Sequence, residues 1–258
     1  MSFDLDFMPE EVILDRAPLV RVLCQIRFSS SPELVEDSNE RAIAAALTDL
    51  LPVRGTIEGI ALPLAGLPNA IPQHETMRTF EDVDGAWKAT VTPAFLALET
   101  TSYTRRSEFV ERLTRVMAAL EAAATPPRVT RIGMRYTDRI TRPEGLTRLV
   151  NPGLLGMLPE VLTDDMIENQ IQQTLLVDPT SGNKIQVRSL CLPPDVGFDP
   201  SIEPTPEPSW VLDIDAYSEA ARPWVPNELA ETVEVLARRA YQVFHWAVTD
   251  DFRKAYGA

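Results

Sequence analysis

The sequence predicts an α+β fold in which a mostly antiparallel sheet packs against about three long helices. Several segments alternate apolar and polar residues with the two-residue period of a strand, and many follow one another with no helix between them. Other segments repeat apolar residues every three to four positions, which is typical of an amphipathic helix. Runs of adjacent strands favour an antiparallel sheet and argue against a doubly wound parallel fold.

Alternation and turn signals locate the strands. Residues 19–28 and 129–141 alternate most clearly, with apolar side chains on one face and arginines on the other. The pair Asp84-Gly85 is a strong turn signal, so it predicts a hairpin between residues 77–83 and 86–92. Further strands are predicted over 56–62, 95–103, 167–177, 184–192 and 209–217.

Capping residues and apolar periodicity locate the helices. Ser31 precedes a proline and is expected to cap a helix that runs to about Leu50. Thr104 is expected to cap a helix over residues 105–123, and a last helix is predicted over 226–248.

The order of these elements suggests how the chain is organised. Residues 1–17 are expected to form an acidic arm, 18–143 a first α+β half and 144–258 a second, the two halves packing as one unit. A hairpin, a strand and a long helix follow one another in 76–123 and again in 167–248, which hints at an internal duplication. Proline-rich segments at 51–75 and 193–208 are predicted to be loops, the second a surface loop or linker.

Composition excludes several classes of protein. The hydrophobic fraction of 45% is that of a globular chain, and no apolar run reaches the roughly 18 residues of a membrane-spanning helix. A net charge of −14 gives no attraction to nucleic acids or anionic membranes, and it favours a cationic partner. The N-terminus lacks the cationic and apolar regions of a signal peptide, so a cytoplasmic location is expected, with Cys24 and Cys191 as free thiols.

Motifs for common catalytic and cofactor sites are absent from the sequence. There is no G-x-G-x-x-G, Walker-type phosphate loop or G-x-S-x-G, so nucleotide binding and serine-hydrolase chemistry have no support. Neither C-x-x-C nor H-E-x-x-H occurs, so no metal site is predicted. No cofactor is expected.

One pattern has chemical content, and it lies on the polar faces of the strands. Arginines spaced four apart in residues 129–141 share one face, and two carboxylates share a face of residues 209–217. The strands predicted over residues 19–28 and 95–103 add an arginine and a glutamate. The candidate ligand- or partner-binding residues are therefore Arg27, Glu99, Arg131, Arg135, Arg139, Asp213 and Asp215.

Three interpretations of this set stay open. The arginines and carboxylates could pair across a solvated sheet face, each exposed pair contributing about 0.2–1 kcal/mol. The arginine row could instead form a groove that clamps an anionic group, since guanidinium groups bind carboxylates in a forked geometry. Asp213 and Asp215 could act as an acid/base pair, although no nucleophile or metal cluster accompanies them in the sequence.

Several stretches resemble a sporadically distributed bacterial family of uncharacterised proteins of about this length. The resemblance lies in Pro18-Leu19-Val20 with residues 24–28, in residues 95–101 and 131–140, and in a phenylalanine-rich C-terminal helix. It implies one architecture over nearly the whole chain and a prokaryotic source. It implies no catalytic residues, and sporadic distribution is typical of accessory genes such as defence or toxin–antitoxin modules.

The sequence therefore leaves three functional hypotheses. The first is a non-enzymatic interaction protein, antitoxin-like, an immunity protein or a defence-system component, whose acidity would steer it onto a basic partner. The second is an enzyme or binding protein that holds a small anionic ligand on the arginine row. The third is a self-assembling protein, with a homodimer formed through the last helix.

Overall fold

The computed structural model of the protein describes residues 7–61, 73–141, 145–156 and 168–257, and it is an α+β fold with a nine-stranded antiparallel sheet. The strands are β1 Leu19–Phe28, β2 Val53–Ala61, β3 Gln73–Glu81, β4 Trp87–Val91, β5 Phe95–Thr100, β6 Val129–Thr141, β7 Gln170–Val177, β8 Lys184–Leu192 and β9 Ser209–Ser218. Their order in the sheet is β2-β3-β4-β5-β1-β6-β9-β8-β7.

Five α-helices lie within the described residues, two of them long. The helices are α1 Asp37–Ala46, α2 Arg106–Ala123, α3 Leu146–Leu149, α4 Pro226–Ala247 and α5 Asp250–Tyr256. With lengths of 18 and 22 residues, α2 and α4 are the two that match the predicted long helices most closely. Short 3-10 helices cover Pro32–Val35 and Pro152–Leu154.

The chain divides into two compact units that do not follow a single cut in the sequence. One unit comprises Met1–Val22, Gly133–Ser218 and Glu234–Ala258. The other comprises Leu23–Ile132 and Glu219–Val233. Each is described separately below, as the first and the second unit.

The second unit contains the meander β2 to β5 together with helices α1 and α2, which contact each other. Helix α2 buries a stripe of apolar residues that includes Phe109 and Leu113, as its periodicity predicts. The Arg112 guanidinium lies 4.4 Å from the centroid of the Trp87 ring. Gly85 has φ of +68° in the turn between β3 and β4, a conformation in which glycine carries no steric cost, so the Asp84-Gly85 turn is confirmed.

The first unit contains the meander β7 to β9, the C-terminal part of α4, and α5. Residues 7–17 have no helix or strand and lie along these helices. The Tyr241 hydroxyl accepts a hydrogen bond from the Val12 N–H and donates one to the Glu10 carbonyl, while Gln242 Nε2 donates to the Phe7 carbonyl. The N-terminal arm is therefore held in place by hydrogen bonds between its backbone and side chains of α4.

Two helix starts differ from the prediction. The predicted helix after Ser31 is interrupted at Glu36, whose backbone is extended, and a separate helix begins at Asp37. Arg78 explains the break, because its guanidinium donates to the Val35 carbonyl and to Asp37 Oδ1 from a distant strand. Such a tertiary contact leaves no mark in local sequence.

The second difference concerns Thr104, whose hydroxyl donates to the Glu108 side chain and makes no capping bond to the backbone. Helix α5 was missed, although Thr249 caps it by accepting a hydrogen bond from the Phe252 N–H. Leu62 of the predicted strand 56–62 and Ile167 of the predicted strand 167–177 lie outside the described residues.

Three further predictions concern the cysteines, membrane-spanning helices and the order of the elements. Cys24 and Cys191 are free thiols. Across the described segments, no helix combines the length and apolarity needed to cross a membrane. The order hairpin, strand, long helix recurs as β3-β4-β5-α2 and as β7-β8-β9-α4.

Candidate functional site

A buried ionic cluster lies in the first unit, on one face of strands β8 and β9. In the β8–β9 register Arg188 is directly opposite Asp213, so both side chains leave the sheet on the same side. Strand β6 contributes Arg135 and Thr137, and both contact Asp213. We call Arg21, Arg135, Arg188, Asp199 and Asp213 the Arg135 cluster.

Asp213 is fully buried and lies at the centre of this cluster. Its Oδ1 accepts hydrogen bonds from Arg135 Nε at 2.5 Å and from the Thr137 hydroxyl at 2.9 Å. Its Oδ2 accepts from Arg188 Nε at 2.9 Å and Nη2 at 2.7 Å. Both carboxylate oxygens are therefore saturated by charge-assisted bonds from the protein itself.

The proline-rich segment 193–208 supplies the second carboxylate of the cluster. Asp199 Oδ2 lies 2.7 Å from Arg135 Nη1 and 3.6 Å from Arg21 Nη1. Its Oδ1 accepts hydrogen bonds from the Ser201 N–H at 2.9 Å and the Ser201 hydroxyl at 2.5 Å. The segment predicted to be a surface loop or linker thus covers part of the arginine row.

Two further contacts hold this segment against the sheet. The Asp195 N–H donates to the Thr205 carbonyl at 2.8 Å, which closes the segment into a loop. Phe198 packs on the buried side chains of Leu190, Leu192 and Val211, which belong to β8 and β9. We call residues 195–205 the Asp199 loop.

The charges in the cluster stabilise one another. Burial alone would raise the pKa of Asp199, but hydrogen bonds from Ser201 and the charges of Arg135 and Arg21 outweigh it and lower the pKa to about 2. Burial disfavours the charged form of Arg135 as well, yet Asp213 and Asp199 raise its pKa. Both groups are therefore ionised at neutral pH.

The structure brings together four of the seven predicted residues in the first unit. Arg135 and Asp213 pair directly, and Arg139 Nη1 donates to the Glu203 carbonyl in the Asp199 loop at 2.8 Å. Asp215 follows on the same face of β9, and its charge also raises the pKa of Arg135. Arg139 Nε is buried and has no hydrogen-bond partner among the residues described here.

The other three predicted residues belong to the second unit. Arg27 Nε donates to Gln25 Oε1 of the same strand at 2.9 Å. Glu99 is half-buried and lies opposite Lys88 in the β4–β5 register, and Arg131 is half-buried near the start of β6. The row expected from periodicity is therefore divided between the two units.

Sequence reasoning missed Asp199 and Arg188. Asp199 lies in a segment without apolar periodicity, and the only sequence signal near it is the abundance of prolines and acidic residues. Arg188 alternates with apolar residues in β8, as the arginines of β6 do, so the same criterion could have found it.

A buried carboxyl outside the cluster has an unusual environment. Asp138 is 4% exposed, and no hydrogen bond or ion pair is among the influences on its pKa. Burial, with a smaller contribution from the Asp213 charge, raises its pKa to about 7. Its charge in turn contributes, after burial, to raising the pKa of Tyr256 in α5.

A second surface of interest is the outer face of β7, the last strand of the sheet. The β7–β8 register places Gln173 opposite Arg188, so the odd-numbered residues of β7 share the face of the Arg135 cluster. All four are exposed, and three of them are apolar, namely Ile171 at 63%, Leu175 at 52% and Val177 at 54%. We call Ile171, Gln173, Leu175 and Val177 the β7 edge surface.

The opposite face of β7 is covered by its own unit. Gln170 Nε2 donates to the Leu155 carbonyl at 3.0 Å, and Gln172 Nε2 donates to the Gly153 carbonyl at 3.1 Å. These contacts fix the strand's orientation, so the apolar side chains of the β7 edge surface point away from them.

The described parts of the chain contain no group of three or more histidine, cysteine, aspartate or glutamate residues suited to a metal ion. The Arg135 cluster holds opposite charges in place, and both of its carboxylates are bound by arginines of the same chain. Comparison with models of protein families and with curated proteins finds no match to this chain.

Proposed function

We propose that this protein is a non-catalytic, cytoplasmic interaction protein of bacterial origin that binds another protein through the β7 edge surface. The observation that carries the proposal is an edge strand with three exposed apolar side chains and no charged residue. Apolar patches of this kind on a soluble surface are typical of protein-binding sites. An exposed edge also offers backbone N–H and C=O groups to a further strand.

The state of the arginine row supports this proposal over catalysis. Arg135, which would be the centre of an anion-binding groove, already binds two carboxylates of its own chain. A small anion would have to displace Asp199, whose lowered pKa reflects strong stabilisation of its charged form. Asp213 is saturated and fully buried, so it is poorly placed to exchange protons with a substrate.

The acidity of the chain suits a basic partner. With a net charge of −14, the protein would attract a cationic protein over long range and accelerate its association. This is the charge relationship expected for an antitoxin-like, immunity or defence-system component. Membership of the sporadically distributed bacterial family, and an internal duplication behind the repeated order of elements, belong to the same proposal.

Arg139 supports a second candidate function, which is the binding of a small anion. Its guanidinium contacts a carbonyl, its Nε is buried without a hydrogen bond, and no described residue offers it a carboxylate. Burial lowers its pKa, which is the expected result for a cation without a counter-charge. A phosphate or carboxylate bound there would supply that charge.

A co-purification experiment tests the main proposal. We expect a protein partner to be retained from extracts of the source cells by the wild-type chain, and to be lost when Leu175 is replaced by Lys. Val235→Lys is the matched control because Val235 is an exposed apolar residue on helix α4, 45% exposed against 52% for Leu175. Equal retention by both variants, or no specific partner at all, would contradict the proposal.

Calorimetric titration with phosphate and citrate tests the second candidate. If Arg139 holds an anion, Arg139→Gln should weaken binding at least about tenfold, which corresponds to about 1.4 kcal/mol. Arg115→Gln, which alters an exposed arginine paired with Asp49, is the control and should leave binding unchanged. If neither anion binds detectably to the wild-type chain, the second candidate function is wrong and only the interaction proposal remains.

A further inference from the structure

The β7 edge surface also specifies what kind of partner it suits. Among the described residues no strand pairs with the outer side of β7, so its outward backbone groups have no sheet hydrogen bonds to that part of the chain. Edge strands are commonly protected from pairing by charged residues, prolines or bulges. Strand β7, with the sequence QIQQTLLV, has none of these charges or prolines over eight residues.

The lack of charge is specific to this edge. Charged residues make up 24% of the chain, so about two would be expected in eight positions. The strand at the other end of the sheet, β2, carries Arg54 and Glu58. Protection against pairing is therefore present at one edge of the sheet and missing at the other.

We propose that β7 pairs with β7 of a second copy of this chain, antiparallel across a two-fold axis at Thr174. This inference rests on the proposed role of the β7 edge surface in protein binding, and it names a second copy of the chain, in place of a basic protein, as the partner bound there. Two chains of net charge −14 repel each other, and contact through an uncharged strand adds no further repulsion between neighbouring side chains. A two-fold axis matches one surface with itself and closes the assembly at two subunits.

The register about Thr174 is complementary. It places Ile171 opposite Val177 of the second copy and Gln173 opposite Leu175, on the exposed face of the sheet. Cross-strand pairs between β-branched residues stabilise antiparallel sheets, and two threonines facing each other can hydrogen-bond. In this register Glu168 of one copy faces Thr180 of the other, so like charges are not brought together at the strand ends.

Light scattering on the full chain at about 100 µM tests the pairing, because dimerisation follows mass action. We expect a mass of twice 28.7 kDa for the wild type. Leu175→Lys should raise the dimer dissociation constant at least about tenfold, whereas Val235→Lys should leave it unchanged. A monomeric wild type, or a dimer that Leu175→Lys does not weaken, would overturn the inference.

A cysteine at the axis gives a second measurement that does not depend on weakening the dimer. Thr174→Cys should form a disulfide between copies under mild oxidation, since residues opposite each other on paired strands lie about 4.5–5.5 Å apart between Cα atoms. The wild type, whose own cysteines are buried or half-buried, is the control and should not cross-link.

The two proposals can fail separately. If the wild type is monomeric and Leu175→Lys loses a different protein partner, the proposed function holds and the two-fold pairing is wrong. If the wild type is a dimer that Leu175→Lys dissociates, and no other protein binds through this surface, the pairing is supported and binding of a different protein through β7 is excluded.

Discussion

Asp199 lies 2.7 Å from Arg135 Nη1, so a carboxylate from the chain's own loop occupies the place where an external anion would bind. On the other side of the same guanidinium, Asp213 accepts from Nε. Arg135 therefore links the Asp199 loop to the buried face of the sheet. Because both of its partners belong to the same chain, its contribution to stability can be measured without any ligand.

Removing Asp213 should destabilise the protein strongly. Asp213→Ala would leave Arg135 and Arg188 partly or fully buried without their shared carboxylate, a change that typically costs about 3–5 kcal/mol. Urea denaturation measures this free energy of unfolding. Asp49→Ala, which breaks an exposed pair with Arg115, should leave the unfolding midpoint unchanged, and similar midpoints for both variants would contradict a structural role for Asp213.

Much of the fold could be predicted because short-range patterns determine it. The alternation in residues 129–141 predicts β6 with its observed bounds, and the Asp84-Gly85 turn predicts the β3–β4 hairpin. The interruption at Glu36 could not be predicted, because it depends on Arg78 some forty positions away in the chain. The division of the chain into two units likewise depends on contacts that no local pattern records.

Only part of the candidate site could be predicted from the sequence, because its contacts also join residues that are far apart in the chain. Strand periodicity places Arg135 and Asp213 on polar faces, but it does not say which groups meet them. The partner Asp199 comes from a loop without periodicity, and its contact with Arg135 joins positions that are far apart in sequence. Only the folded chain shows that Arg135, at the centre of the arginine row, is neutralised by two carboxylates of the same chain.

The Asp199 loop should come away from the sheet when its apolar contact is removed. Phe198→Ala deletes the side chain that packs on Leu190, Leu192 and Val211, and for a partly buried ring the loss should be about 1–2 kcal/mol. A protease that cleaves before aliphatic residues should then cleave faster between Ser201 and Ile202 within this loop. Val196→Ala, at an exposed position of the same loop, is the control, and equal cleavage rates in both variants would show that Phe198 does not hold the loop.

Asp199 should make the protein sensitive to strong acid. Its pKa is lowered from 3.8 to about 2 in the folded state, so its stabilisation is present above about pH 4 and is lost as the pH falls towards 2. With solvent screening near the loop surface, the loss should be about 1–2 kcal/mol. Urea unfolding at about pH 4 and about pH 2 measures it.

The matched variants for this acid effect lie in the same loop. Asp199→Asn should remove this component of the pH dependence, and Asp195→Asn should retain it. If wild type and both variants lose stability in parallel over this range, the effect comes from carboxylates elsewhere in the chain.

Asp138 should make the free energy of unfolding depend on pH with the opposite sign, and at higher pH. Its pKa is raised to about 7 in the folded state from an ordinary value of 3.8, because it is buried and lies near the charge of Asp213. The folded protein therefore holds a proton that the unfolded chain releases, so stability is greatest below about pH 4 and falls as the pH rises through about 7. The total loss should approach about 4 kcal/mol, at about 1.4 kcal/mol for each pKa unit.

The variant Asp138→Asn tests this origin of the pH dependence. It should be more stable than the wild type at about pH 8, and its free energy of unfolding should not change between about pH 4 and 8. The control Asp84→Asn, in an exposed turn, should follow the wild type. A wild type whose free energy of unfolding does not fall over this range would show that the Asp138 carboxyl finds a compensating partner in the folded protein.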